Sequence, residues 1–445
     1  MKKSNAIKIG LLLALVVMVL PALSTSAVAT DGLATDINSG DTAWLLVATA
    51  LVFIMTPAVG FFYGGMLRKE SFLSILGQTI IITGMVTLIW VLFGYSLAFG
   101  GFKSDLIGNF DFVGLHGVGQ LPNTDYAVSI PAILFSMYQL MFAIITVALI
   151  IGGVAERMKL KAMVVFLGIW TVLVYIPVAH WVWGGGWLSK MGALDFAGGT
   201  VVHITAGVSV LAAAIVLGKR LSAQAGNGEH PHNIPMVVLG GGLLWMGWFG
   251  FNGGSALASN GIASQAFANT HIAAALAAIT WGIVSWLHQG RPGVLGLISG
   301  GIAGLVAITP ASGYVDTTGA IVIGIGAGVI CYGGILARKR LGFDDSLDVW
   351  GVHGIGGTFG AIATGLFASH SVNGLVSEST QGLFIGGSFT LLGYQLIAVA
   401  TVWAFAFGVT FIVLKVLGKI TPLRMTKDEE RIGADIIQHG ESAYS

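Results

Sequence analysis

With 445 residues, of which 55% are hydrophobic and 9% charged, the chain has far too few charges to coat a water-facing globule, where roughly a quarter are charged. Its formal net charge of +1 offers no basic excess for nucleic acid and no polybasic tract for an anionic lipid surface. The single cysteine, Cys331, excludes an intrachain disulfide and a cysteine metal site, and no cofactor is expected.

Lys2, Lys3 and Lys8 precede or open an apolar stretch at 9–23, followed by Ala27-Val28-Ala29, the pattern of a secretory signal peptide. Residues 1–29 are read as that leader. An uncleaved first helix is the alternative, but this core is short against the roughly 20 residues a crossing needs. Residues 30–418 then form one membrane domain, with apolar runs near 43–65, 71–99, 128–152, 160–183, 195–218, 234–257, 262–287, 293–309, 319–337, 347–369 and 386–417. The runs are continuously apolar rather than alternating, as in helices and not barrel strands. The expected fold is therefore all-α: a polytopic membrane protein with eleven transmembrane helices. Residues 419–445 make a polar, charged tail, which is either a regulatory element or a disordered end.

Secretion targeting sets the mature N-terminus outside, and eleven crossings set the C-terminus in the cytoplasm. Basic residues test this orientation independently, because cytoplasmic segments retain Lys and Arg. Sixteen, including Arg68, Arg157, Arg220, Arg338 and Arg424, fall on the expected inner side, against Lys103 and Lys190 outside.

Two segments echo each other across the chain. Asp195-Phe-Ala-Gly-Gly-Thr-Val-Val-His203 opens the fifth run and Asp345-Ser-Leu-Asp-Val-Trp-Gly-Val-His353 the tenth. A weaker echo links Gly60-Phe-Phe-Tyr-Gly-Gly65 with Gly250-Phe-Asn-Gly-Gly254. Spans 1–5 and 6–10 would then be inverted repeats, a design that places substrate sites near mid-membrane, with span 11 outside the scheme. Eight helical residues rise about 12 Å, so His203 and His353 are expected near mid-bilayer, approaching from opposite faces and close enough to share a hydrogen bond.

An isolated buried histidine is usually structural, but repetition at matched depth points to a substrate route, since ionisable groups inside a bilayer are costly. A neutral imidazole offers one donor and one acceptor, which suits a small polar solute or a proton relay. Two histidines without nearby Cys or carboxylate make a poor metal set, so no metal is expected. Asp195 stands too far along and around the helix to orient His203. Its readings are helix capping and a direct electrostatic part in attracting a cation; Asp195→Asn is expected to keep the cap while removing the charge. His180 and His271 lack repeat partners and read as structural.

At these residues the sequence resembles the ammonium transporter and Rhesus family, in its bacterial branch. The resemblance rests on Pro57-Ala-Val-Gly-Phe-Phe-Tyr-Gly-Gly65, Ala155-Glu-Arg157, His180-Trp-Val-Trp-Gly-Gly-Gly186, the Asp195–His203 segment, Gly247-Trp-Phe-Gly-Phe-Asn-Gly-Gly-Ser255 and Asp348-Val-Trp-Gly-Val-His-Gly354. It covers nearly the whole mature chain. It implies ammonium or ammonia as substrate, with methylammonium as an analogue, and an inner-membrane location with lipid around it. It also implies a homotrimer with one pore per subunit, and a PII-type regulatory protein at the cytoplasmic face. Trp183 and Ser255 would recruit the ion, with Phe142 as a wall. Phe142 and Phe251 would form the gate, His203 and His353 the pore lining, and Asp195 the supporting carboxylate; Asp345, its counterpart in the repeat, reads as structural or electrostatic. Without the resemblance, Trp183 reads as an interfacial belt aromatic and the phenylalanines as core filler.

Two rival classes frame this expectation. An ammonium sensor signalling to a cytoplasmic partner would carry an added signalling domain, and none follows Ser445. An intramembrane hydrolase would need a serine, cysteine or carboxylate completing a catalytic set with either histidine, and no spacing supplies one. The chain is not expected to be an enzyme. The leader reading has its own test: N-terminal sequencing of the protein purified from membranes is expected to begin at Thr30, and an N-terminus at Met1 would overturn it.

Overall fold

The computed structural model describes residues 37–101, 104–224 and 231–444; the expected leader, residues 1–29, lies outside them. Among the described residues every regular element is a helix, and the only β pairings are two isolated bridges. Among the described residues nine helices are long and apolar enough to cross a membrane. They are α1 (Ser39–Met66), α2 (Lys69–Phe99), α3 (Ala132–Val154), α4 (Leu160–Met191), α5 (Gly199–Leu217), α6 (Ile234–Ala256), α7 (Gly261–Gln289), α9 (Thr317–Leu341) and α11 (Phe389–Ile420). Two shorter helices complete the set at the remaining apolar runs: α8 (Val294–Ile308) and α10, made of Trp350–Gly354 followed by Ile355–Phe367. The chain is a multi-pass membrane protein.

Local chemistry fixes the ends. Asn38, Asn233, Asn260 and Asp316 cap α1, α6, α7 and α9, each side-chain oxygen accepting an N–H of the first turn at 2.8 to 3.0 Å and so satisfying a donor the helix cannot. α7 and α9 stop at Gly290 and Gly342, both left-handed, a conformation that costs other residues more. Outward positions such as Ile80, Leu88, Ile279 and Ile412 are exposed, as expected of a surface that faces hydrocarbon rather than water.

One end of the bundle gathers the buried charge. Arg157, fully buried, donates to the Asp344 carboxylate at 2.9 Å and to its carbonyl at 2.6 Å. Arg220 grips the same carboxylate with two nitrogens at 2.9 Å and reaches Glu156 at 2.8 Å. Glu156 also accepts from the Arg68 side chain at 3.2 Å. The α1 end, the α3–α4 turn, the α5 end and the loop before α10 are thereby tied into one cluster, which defines what is called here the tail face.

The C-terminal tail joins that cluster. Two short helices, α12 (Lys427–Ile432) and α13 (Ala434–His439), follow α11. Glu430 pairs with Arg424 at 2.5 and 3.0 Å. The Asp435 carboxylate accepts the free N–H groups of Leu73 and Ser74 at 3.0 and 2.7 Å, acting as a cap supplied from the far end of the chain. A polar composition that also allowed a disordered end is thus ordered by charge pairing and helix capping, neither of which shows in composition.

Burial pushes the Asp344 carboxyl up, but the Arg220 and Arg157 guanidiniums outweigh it and hold the group below the usual carboxylate range. A carboxyl depressed in the folded state stabilises fully above its unfolded value near 4. That stabilisation is lost progressively as pH falls from there through the lower folded value. Asp344→Ala would leave Arg157 and Arg220 buried without their main counter-charge, an error that costs about 3–5 kcal/mol. Thermal unfolding in detergent at neutral pH is expected to show a clearly lowered midpoint, and an unchanged midpoint would refute the pairing.

Candidate functional site

His203 and His353 both lie in π-helical turns, Gly199–Ile204 at the head of α5 and Trp350–Gly354 at the head of α10. The wider π turn rotates the register locally, and such turns are frequent at functional sites. Hydropathy carries no trace of it. In the first turn the N–H of His203 reaches back to the Gly198 carbonyl at 3.0 Å. The Thr205 hydroxyl lies 2.5 and 3.0 Å from the carbonyls of Val201 and Val202.

The two imidazoles meet, with Nδ1 to Nδ1 at 3.2 Å. One ring therefore donates and the other accepts. His203 Nε2 is buried with no hydrogen-bond partner. Around the pair lies a cavity of about 20 Å³ walled by Met55, Val59, Ile145, Leu149, Trp248 and Ile302, room for roughly one water-sized molecule. Apart from the imidazoles, that wall is overwhelmingly apolar.

A larger cavity, about 280 Å³, extends from His353 toward the tail face past Ser285, Tyr332, Lys339 and Asp348. On the opposite side, here the far face, a cavity of about 210 Å³ is bounded by Phe142, Trp183 and Ser255, together with Tyr138 and Gln139. Between this cavity and the histidines stand two buried rings. Phe142 and Phe251 have centroids 4.4 Å apart at 41°, so they are tilted against each other rather than parallel. Phe142 meets the Trp183 ring edge-on at 5.7 Å, and Phe251 lies over His203 at 5.9 Å. Trp183, Phe142, Phe251, His203 and His353 thus form one unbroken line of rings.

Hydrogen bonds explain why each polar group points as it does. Trp183 Nε1 donates to the Asp195 carbonyl at 2.9 Å, which holds the indole in the cavity wall, away from a lipid-facing belt position. Ser255 donates its proton to the Phe251 carbonyl at 2.8 Å. The Tyr138 hydroxyl lies 2.9 Å from the Gly250 and Phe251 carbonyls.

Asp195 accepts from Gly198 and Gly199 through one oxygen, at 2.8 and 2.7 Å. Its other oxygen accepts from Thr200 and Val201 at 2.7 and 3.1 Å. This corrects the expectation that asparagine at 195 would preserve the cap. Both oxygens are in use, and an amide nitrogen in place of either would confront two N–H donors. Asp345 accepts the Trp350 N–H at 2.7 Å through one oxygen, and its second oxygen is buried without a partner.

The other histidines divide. His180 is buried with its ring nitrogens 2.8 and 2.9 Å from the Ala98 and Ser104 carbonyls, pinning the loop after α2. His271 faces outward from the middle of α7, beside Trp245.

Sequence reasoning missed Tyr138, Gln139 and Trp248. A signal existed: Gln139 and Trp248 precede Phe142 and Phe251 by three residues, which puts each on the same helix face as its phenylalanine.

The model of the Ammonium Transporter Family matches residues 43–444. The chain is 49% identical to an ammonium transporter of Bacillus subtilis, over 91% of this chain and 98% of that one. It is 46% identical to the ammonium transporter Amt1 of Archaeoglobus fulgidus, over 92% and 100%. Among solved structures, Candida albicans Mep2 superposes with a TM-score of 0.82 at 38% identity, over 92% and 91% of the two chains. A protein titled Sensor Amt Protein superposes with a TM-score of 0.82 at 29% identity, over 90% and 98%.

Two carboxylate oxygens on four backbone donors make a measurable prediction. Asp195→Asn turns one acceptor into a donor, leaving two N–H groups unpaired, at a cost of about 2–4 kcal/mol. Differential scanning fluorimetry of the variant is expected to show a lowered midpoint, and a wild-type midpoint would disprove the cap.

Proposed function

This chain belongs to the ammonium transporter family, and on that premise we propose that it recruits ammonium at the far-face cavity, that the ion gives its proton to water of that cavity before the phenylalanine pair, and that ammonia passes on beyond His203 and His353. The single observation that carries this reading is the contact of the two imidazoles, 3.2 Å apart, beside an apolar cavity of about 20 Å³.

Recruitment follows from the chemistry of the wall. Ser255 spends its proton on the Phe251 carbonyl and so keeps lone pairs for an incoming N–H. The Trp183 face attracts a cation by about 0.5–2 kcal/mol, more as water is shed. Beyond that point the wall has no ring of carbonyls to replace a hydration shell, so an alkali ion would enter bare, at prohibitive cost. Ammonium has an escape open to no alkali ion: it can leave its proton behind and proceed neutral. A neutral imidazole pair then presents one free acceptor and one free donor, which suits ammonia. The same pair offers a path for a proton, and current across planar lipid during ammonium flux reads that path directly.

The membrane arrangement belongs to the same proposal. Adding α8 and α10 to the nine longer helices gives eleven crossings, with spans 1–5 and 6–10 as inverted repeats, the far face outside and the tail face cytoplasmic. The matching π turns at His203 and His353 support the repeat. We further propose a homotrimer, because an outward-facing His271 at mid-span is costly against lipid and a neighbouring subunit would cover it. The Sensor Amt Protein likeness keeps a signalling role as the second reading, at lower identity than the named transporters.

The test is methylammonium uptake by proteoliposomes containing wild type, His203→Ala or Trp183→Leu. His203→Ala is expected to cut uptake at least about tenfold, the scale of a lost hydrogen bond to a desolvated solute. Trp183→Leu is expected to raise the apparent KM several-fold. Wild-type uptake in the His203→Ala protein would defeat the proposed route.

A further inference from the structure

Polar side chains around the far-face cavity are nearly all committed. The Tyr126 hydroxyl is 2.9 Å from the Phe99 carbonyl. Tyr138, Trp183 and Ser255 likewise bond to the carbonyls of Gly250 or Phe251, Asp195 and Phe251. Each of these groups gives its proton to the backbone, so what the wall can still offer a guest is acceptor capacity and aromatic faces. Gln139 differs from all of them. It lines the same cavity, one helical turn before Phe142, and its Oε1 is buried with no hydrogen-bond partner.

A buried amide oxygen left unpaired is unfavourable enough to call for a partner. The cavity beside it is walled by acceptors and rings, so the partner it suits is a donor-rich cation. Ammonium has four N–H donors and can fill that role. A half-turn of the terminal amide exchanges Oε1 and Nε2 without moving the rest of the side chain, so an arriving cation can draw the oxygen toward itself.

Resting on the recruitment reading above, we propose that Gln139 is a further ligand and a specificity determinant of that site. Its Oε1 accepts an N–H of ammonium beyond the one taken by Ser255. Methylammonium has three N–H donors and a methyl group. The methyl occupies an aromatic face or the place of the fourth donor, so the amide discriminates between the two ions.

The experiment uses purified full-length protein in proteoliposomes, with labelled methylammonium as the transported probe and ammonium as competitor. The readout is the ammonium inhibition constant divided by the methylammonium KM, a ratio independent of how much protein folds. Gln139→Leu is expected to raise that ratio about tenfold, mainly through weaker ammonium inhibition. Gln139→Glu, which keeps an acceptor, is expected to restore or tighten ammonium inhibition. An unchanged ratio in Gln139→Leu overturns the assignment. Should that variant pass too little flux to fit, Gln139→Glu decides: the ammonium inhibition constant is expected to fall at least about threefold, and an unchanged or raised value overturns the proposal. Ser255→Ala separates the two ideas. If Ser255→Ala weakens ammonium inhibition while Gln139→Leu does not, only the Gln139 assignment fails; if neither does, the recruitment site itself is misplaced.

Discussion

Two imidazoles can stand 3.2 Å apart only because the helices beneath them touch backbone to backbone. A Cβ on Gly207 of α5 would lie 2.2 Å from the Gly354 nitrogen and 2.5 Å from its Cα. A Cβ on Gly357 of α10 would fall 2.9 Å from both the Gly199 carbonyl oxygen and His203 Cβ. No side chain, however small, fits at these points. Close approach through small residues is how membrane helices gain packing without a hydrophobic drive, and here it also sets the separation of the two imidazoles. The π turns complete the geometry by rotating each histidine toward the contact. Everything proposed about conduction depends on that crossing, since helices held a methyl group further apart would leave two isolated histidines.

Charge is distributed to protect this centre. Arg157, Arg220, Glu156, Asp344 and Glu430 are all buried, yet they sit together at the tail face, each paired. A buried charge is tolerable when its partners are fixed around it and ruinous when one is removed. Gathering the charges there binds the ends of α1, α3, α5 and α11 without placing an ion in the apolar stretch. The wall around the histidines can then stay hydrocarbon, which is what lets a hydrogen bond there count for more than in water.

Much of this was legible in the chain. Apolar runs gave helix positions to within a few residues, because hydrocarbon leaves a spanning segment few alternatives to a helix. The Asp–Val–His echo brought His203 and His353 together before any coordinates, since matched spacing in two segments constrains depth. Other features could not be read. The π turns depend on hydrogen bonds of Gly198 and Thr205 that composition does not encode. Partners such as Asp435 with Leu73, or Arg220 with Asp344, join residues far apart in sequence. Asparagine at 195 reads from sequence as a neutral cap, because nothing in composition shows that both carboxylate oxygens are taken by four N–H groups. Gln139 was visible as a lone amide in an apolar helix, but only the cavity gives it a direction.

The two histidine turns are built alike and anchored differently, and the difference bears on direction. Asp195 has four N–H groups on its carboxylate, and those donors belong to the turn it caps; among the described residues no guanidinium or ammonium group is bonded to it. Its charge therefore remains on the far-face side, in the same turn that fixes Trp183 through the Asp195 carbonyl. Asp345 lies in the opposite setting. Arg338 donates to its carbonyl at 3.0 Å and pairs with Asp348 at 2.6 Å, and Lys339 faces the tail-side cavity. A cation is favoured next to the first turn, whereas near the second Arg338 and Lys339 stand beside the carboxylates of Asp345 and Asp348, which leaves no net negative charge there. In the proposed route this gradient lets ammonium be held where it enters and gives it no matching trap where ammonia leaves. Two segments built on the same π turn can thus share a backbone pattern and still differ in the field around them.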